Sequence, residues 1–210
     1  MKASRSRDAQ QAGYSIPELL VVLLLMGLVM GAGAAAWKSY RRATNTRTAA
    51  QTVKMGIHQA RLMAIFNGVN HFVAIDPANR TVGVYEDSGL PAGSFDAADT
   101  LITETRWESG VEMDLPGFVI PRPMGTGNLS AAWDFPTPDT AALWGTDLVG
   151  LMATPDGRIL SAEATPTLIG IGTIVLNDPM DQGQTAGIAV EGLSGTVRSF
   201  KLNGKSWEDM

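Results

Sequence analysis

The chain has 210 residues, a formal net charge of −5 and no cysteine. The missing cysteines exclude disulfides, thiol catalysis and cysteine-based zinc sites. The length suits one folded domain with a further segment attached, and the charge is unevenly spread. Lys2, Arg5 and Arg7 face only Asp8 in the first 13 residues, and residues 38–61 hold Lys38, Arg41, Arg42, Arg47, Lys54 and Arg61 with no acid. The remainder is acidic, which argues against broad nucleic-acid binding, since that requires phosphate neutralisation.

A short basic leader, residues 1–13, ends at Gly13. Tyr14-Ser15-Ile16-Pro17-Glu18 follows, and then Leu19 to Ala36 is an unbroken run of 18 Leu, Val, Met, Gly and Ala residues. At 1.5 Å per residue such a run spans roughly 27 Å as a helix, close to the thickness of a bilayer core. An ordinary secretory signal has a shorter apolar core of about 7–15 residues. The small residues before Trp37 nevertheless offer a cleavage site of that kind, so a cleaved signal peptide stands as a rival reading. The basic leader favours a cytoplasmic N-terminus with the acidic bulk outside, although Lys38, Arg41 and Arg42 on the far side make the charge rule ambiguous. Gly27 and Gly31 form a G-x-x-x-G pair, a spacing that allows close helix approach but is common in so small-residue-rich a segment.

Glu18 is the anomaly, because charge is costly next to hydrocarbon and a plain anchor gains nothing from it. The order of basic leader, Gly13, aromatic Tyr14, Ser15, Glu18 and apolar run resembles the class III signal of type IV pilins and type II secretion pseudopilins. That resemblance implies cleavage between Gly13 and Tyr14 by a prepilin peptidase, N-methylation of Tyr14, and an apolar segment that stays in place. It also implies a role for Glu18 in assembly. The glutamate would meet the free amino terminus of a neighbouring subunit and set the register of a filament. Tyr in place of the more usual Phe, and Pro17, are small departures; proline is tolerated in the first helical turn.

Residues 38–67 lack proline, and Ala50, Val53, Ile57, Ala60 and Ala64 recur at spacings of three and four. This predicts the second, amphipathic half of one helix running from about Ser15 to Phe66. Asn67-Gly68-Val69-Asn70 ends it. Strands are predicted at 71–76 and 81–86 as a hairpin around Pro77–Arg80, then at 101–107 and 111–115. Residues 87–100 and 116–140 read as loops. Residues 148–160 read as a strand, a Pro155-Asp156-Gly157 turn and a second strand. Residues 173–178 and 185–202 supply the remaining strands, with Ser194-Gly195 as the last hairpin turn. The fold class is therefore α+β: a long N-terminal helix packed on a C-terminal antiparallel β-sheet domain. Its parts are a leader (1–13), a membrane half of the helix (14–37), an amphipathic half (38–67) and a β-rich domain (68–210).

The C-terminal order of a strand into Thr154-Pro155-Asp156-Gly157-Arg158, an Ile174–Asp178 strand and a closing hairpin is similar to the GspH/FimT group of minor pseudopilins. This implies a pilin-like fold and a non-catalytic subunit of a type II secretion pseudopilus. It would be anchored once in the inner membrane with its domain in the periplasm, and would assemble with other pseudopilins. A FimT-like minor pilin of a type IV pilus, acting in assembly or DNA uptake, is the alternative. For that reading Arg198, Lys201 and Lys205, joined by Arg158, are the basic residues available to DNA.

Nothing in the sequence marks a catalytic site, cofactor or small-molecule substrate. There is no phosphate loop, nucleophile elbow or His-Glu-x-x-His, which leaves an exported, anchored enzyme as the weakest reading. His58 and His71 have no motif partner and read as packing or surface residues. Asp178 and Asp181 offer oxygen ligands, but their spacing is not that of a calcium loop, and a solvated loop is the default. Trp107, Trp133, Trp144 and Trp207 are expected in or over the core.

Overall fold

The computed structural model describes residues 15–89, 93, 95–133, 148–162 and 166–210. Trp144 lies outside the described residues. Helix α1 (Ile16–Asn67) has 52 residues and runs through two compact units, one ending at Tyr40 and the other comprising Arg41–Met210. Among the described residues nine strands follow: β1 (His71–Asp76), β2 (Thr81–Glu86), β3 (Thr100–Arg106), β4 (Val149–Ala153), β5 (Ile159–Ser161), β6 (Ile171–Asp178), β7 (Asp181–Glu191), β8 (Thr196–Asn203) and β9 (Ser206–Asp209).

All the pairings are antiparallel. One sheet has the order β3-β2-β1-β4-β5 and the other β6-β7-β8-β9. The fold is thus α+β, with a long N-terminal helix packed on antiparallel sheets. The predicted helical face is the packed one: Ala50, Val53, Ile57, Ala60 and Ala64 are all buried. They share one core with Val73, Ile75, Val82, Val84 and Leu151 of the first sheet and Ile174, Leu176, Ile188 and Val190 of the second. The three alanines on this face lose no side-chain rotamer freedom when they pack. The other face of the first sheet is covered too, where Phe95 packs on Phe72 and Tyr85 at ring-centroid distances of 5.3 and 5.1 Å.

The β1–β2 hairpin has the predicted bounds, and Gly157, in a left-handed conformation (φ 84°), closes the turn between β4 and β5. Two expectations fail. Residues 111–115 form no strand; Glu112 makes only an isolated bridge to Asn177. Asp114 turns its carboxylate onto the Leu115 amide at 2.7 Å, and Pro116 has no N–H to continue a ladder. Ser194-Gly195 is also not the last hairpin turn. β8 turns again at Gly204, with a positive φ of 62°, and pairs with β9, which places Leu202 opposite Trp207. Trp107 and Trp207 are tied down through their indole N–H groups, which donate to the Val111 and Pro121 carbonyls. Trp133 packs on the main core.

The sheets meet near the far end of the helix. The Ile159 amide in β5 donates to the Gly192 carbonyl just past β7 at 2.8 Å. Arg61 of α1 binds both turns there. Its Nε donates to the Gly157 carbonyl at 2.8 Å and its Nη2 to the Ser194 carbonyl at 2.9 Å.

Candidate functional site

Gly13 and Tyr14 lie outside the described residues. The described chain begins at Ser15, which caps α1. The Ser15 amide and hydroxyl both donate to Glu18 Oε2, at 3.0 and 3.1 Å, and the Glu18 amide points back at Ser15 Oγ at 3.4 Å. This is a reciprocal capping box: serine at the cap, glutamate three residues on. The sequence carries its signature, Ser-x-x-Glu, so the local role of Ser15 was readable there. Glu18 is therefore a helix-capping acid as well as the acid beside the apolar run. Both of its described hydrogen bonds fall on Oε2.

The run that follows is bare. Its leucines, valines and methionines from Leu19 to Met30 are all exposed, and this part of α1 is long and apolar enough to cross a membrane. Gly27 and Gly31 have open space where a Cβ would stand. Trp37 and Tyr40 close the run, both exposed, with ring centroids 6.1 Å apart. Such amphipathic rings suit the boundary between hydrocarbon and water.

Within the domain, the part of α1 away from the core also exposes large apolar side chains. Met55, Leu62 and Phe66 recur at spacings of seven and four, and Phe66 is 94% exposed. A soluble domain gains nothing from such a row unless something covers it. A cleft of about 100 Å³ beside Met55 is lined by Thr52, Gly56 and Gln59 of α1 and by Val82 and Thr103. That is small against the 300–1,000 Å³ typical of ligand pockets.

Three of the four basic residues named for DNA contact have an acid beside or opposite them. Arg158 sits in the β4–β5 turn and is ion-paired with Asp156. Arg198 on β8 is ion-paired with Asp209 of β9 and lies over the Phe200 ring. Lys201 is directly opposite Glu208 in the ladder. Being three residues apart on one strand, Arg198 and Lys201 project to opposite faces. Lys205 is exposed in the β8–β9 turn. The Thr154 hydroxyl and then Arg158 hold the Asp156 carboxyl below its usual range, so that acid stays charged beside its arginine.

His71 is fully buried, with Nδ1 3.1 Å from the Val69 carbonyl and Nε2 3.8 Å from Glu86. His58 is half-buried on α1; desolvation first, then Lys54 and Arg61, push its pKa down, which favours the neutral ring. Among the described residues no group of three or more His, Asp or Glu side chains is placed to hold a metal ion. Asp178 is no solvated loop residue. Its carboxylate is buried, accepts the Met180 amide at 2.9 Å and faces Arg42 Nε at 3.7 Å.

No family model and no curated protein matches the chain. Solved structures similar to it include two of the minor pseudopilin EpsH from the type II secretion system of Vibrio cholerae. One has a TM-score of 0.44 at 14% identity, covering 74% of this chain and 95% of that one. The other has a TM-score of 0.41 at 17% identity, covering 78% and 97%. Likeness at this level bears no weight for function.

Proposed function

We propose that the chain is a minor pseudopilin of a type II secretion pseudopilus, of the GspH/FimT kind and like protein H, with a structural rather than a catalytic role. It would be made as a precursor in the inner membrane, cut by a prepilin peptidase after Gly13, and built with other pseudopilins into a periplasmic filament. The observation that carries this is the order of signals along the chain. A basic leader, Gly13-Tyr14, the Ser15–Glu18 cap and a bare apolar run precede a second half that forms the domain core. An ordinary anchor needs neither the glycine–aromatic junction nor the acid. The DNA-uptake alternative is disfavoured by the acids that face Arg158, Arg198 and Lys201.

Intact-mass analysis of the full-length protein, co-expressed with a prepilin peptidase and extracted from membranes, tests the reading. The expected product lacks residues 1–13 and carries one extra methyl group on Tyr14. A mature N-terminus near Trp37 would mean ordinary signal-peptide processing and sink the proposal.

The bare row on the domain part of α1 would then be covered by neighbouring subunits. The double variant Leu62→Glu, Phe66→Glu is expected to fold with a melting temperature close to that of the parent, because both side chains already face water. Its co-purification with partner pseudopilins should be lost. Unchanged co-purification would show that the row is not an assembly surface.

A further inference from the structure

The β6–β7 hairpin turns at Pro179-Met180, and this tip is fastened to α1. The buried Asp178 carboxylate makes the fastening: Oδ1 accepts the Met180 amide at 2.9 Å, which fixes the turn, and Oδ2 faces Arg42 Nε at 3.7 Å. Arg42 Nη2 also reaches Met180 Sδ at 3.5 Å. Yet the Met180 side chain is 79% exposed. A hairpin turn is ordinarily built from Gly, Asn or Asp, which suit its geometry and water alike. Here an apolar, flexible side chain stands out at the tip and is pinned beside an arginine.

The place of that arginine gives the tip its meaning. Arg42 is six residues past Ala36, the end of the apolar run, and Arg41 precedes it. Arg41 is exposed, and among the described residues it makes no ion pair or hydrogen bond that would satisfy it internally. Residues 38–61 carry no acid, in a chain of net charge −5. The negative charge of Asp178 is met by Arg42. Asp181 follows the turn, its Oδ1 accepting the Gly183 amide at 3.3 Å, and Glu112, bridged to Asn177, is a further acid near this end of the hairpin. An apolar tip held beside Arg42, on a helix that carries a membrane-length apolar run earlier in the chain, matches a surface of anionic headgroups over hydrocarbon.

We infer that the Pro179-Met180 tip is a lipid-contacting foot of the domain, seated on anionic phospholipid headgroups with Met180 dipping to the acyl boundary. Arg41 supplies the attraction to phosphate, and the Asp178–Arg42 pair keeps the tip on the helix. The inference rests on the membrane-anchored reading of α1. It adds a second point of lipid contact, which would hold the domain down before assembly and have to be released on entry into a filament.

The absence of native cysteine allows a direct test. The full-length chain is labelled with a small fluorophore at a single introduced cysteine: Met180→Cys, Leu193→Cys or Leu24→Cys. Leu193 is exposed beyond the other end of β7, an 11-residue strand roughly 36 Å long. Each protein is reconstituted into phosphatidylcholine vesicles, with or without phosphatidylglycerol, carrying a nitroxide quencher either on the headgroup or deep in the acyl chain. Position 180 should be quenched by the headgroup nitroxide, more strongly with phosphatidylglycerol, and position 193 by neither. Adding Arg41→Glu should abolish the effect of phosphatidylglycerol at position 180. Deep quenching at position 24 without quenching at 180 overturns the foot and leaves the anchor standing. No quenching at position 24 overturns both.

Discussion

Gly192→Ala is expected to destabilise the domain by at least about 3 kcal/mol, beyond the usual range for surface substitutions. A Cβ built on Gly192 would stand 2.0 Å from the Ile169 carbonyl oxygen and 2.5 Å from that of Ile159. Both neighbours are backbone, so no side-chain rotation relieves the clash. The two strands also cannot separate freely. The Ile159 amide donates to the Gly192 carbonyl at 2.8 Å, and the Gly192 amide donates to the Gly170 carbonyl at 3.3 Å. Moving the glycine would therefore break the join between the two sheets, whose shared core includes α1. For a domain of this size, about 3 kcal/mol corresponds to a fall in melting temperature of roughly 6–12 °C. The control is Gly170→Ala, whose Cβ would meet nothing within 4 Å. Thermal melts of the two full-length variants in detergent, followed by tryptophan fluorescence, decide the matter. Equal melting temperatures would show that the junction is looser than its geometry implies.

That junction marks where sequence reading stops. The helical face from Ala50 to Ala64 and the bounds of β1 and β2 were legible, because each rests on a period of 3.6 or 2 within a few residues. The Pro155-Asp156-Gly157 turn was legible for the same reason. β9 was missed although Asn203-Gly204 is a strong hairpin signal. The four residues after it hold one apolar side chain, Trp207, and show no alternation. Residues 111–115 looked like a strand but spend backbone groups on a single bridge, the Trp107 indole and the Asp114 carboxylate. Gly192 carries no local sign of its two crowding carbonyls, which come from other segments. Asp178 illustrates the same limit at the candidate foot. From sequence it was an oxygen ligand or a loop acid; its charge partner is Arg42, far back along the chain on α1. Arg61, one of the cations in the acid-free stretch 38–61, binds two turns by their carbonyls. At the N-terminus the motif was local, and so was its local chemistry: Ser15 and Glu18 cap each other as Ser-x-x-Glu predicts.

The capping box makes the assembly role of Glu18 separable from its structural one. In the proposed filament the carboxylate meets the methylated amino terminus of a neighbouring subunit. Its described hydrogen bonds lie on Oε2, which leaves Oε1 to face that amine. Glu18→Ala removes both the cap and the charge; Glu18→Gln keeps a side chain able to accept from the Ser15 amide and removes only the charge. Loss of the cap alone costs about 0.5–2 kcal/mol of helix stability. Membrane insertion and cleavage after Gly13 should survive in both variants, since neither the apolar run nor the Gly13–Tyr14 junction changes. Stranding the neighbour's amine in a helix bundle costs about 3–5 kcal/mol, or roughly two to four orders of magnitude in association. Both variants are therefore expected to be processed normally and to fail in co-purification with partner pseudopilins. The glutamine protein decides between the roles. If it assembles like the parent while the alanine protein does not, the cap is what matters and the register is not set by charge. If both assemble, Glu18 is only an acid at the end of a helix. Failure of both, with intact processing by mass, leaves the charge of Glu18 as the group that a neighbouring subunit reads.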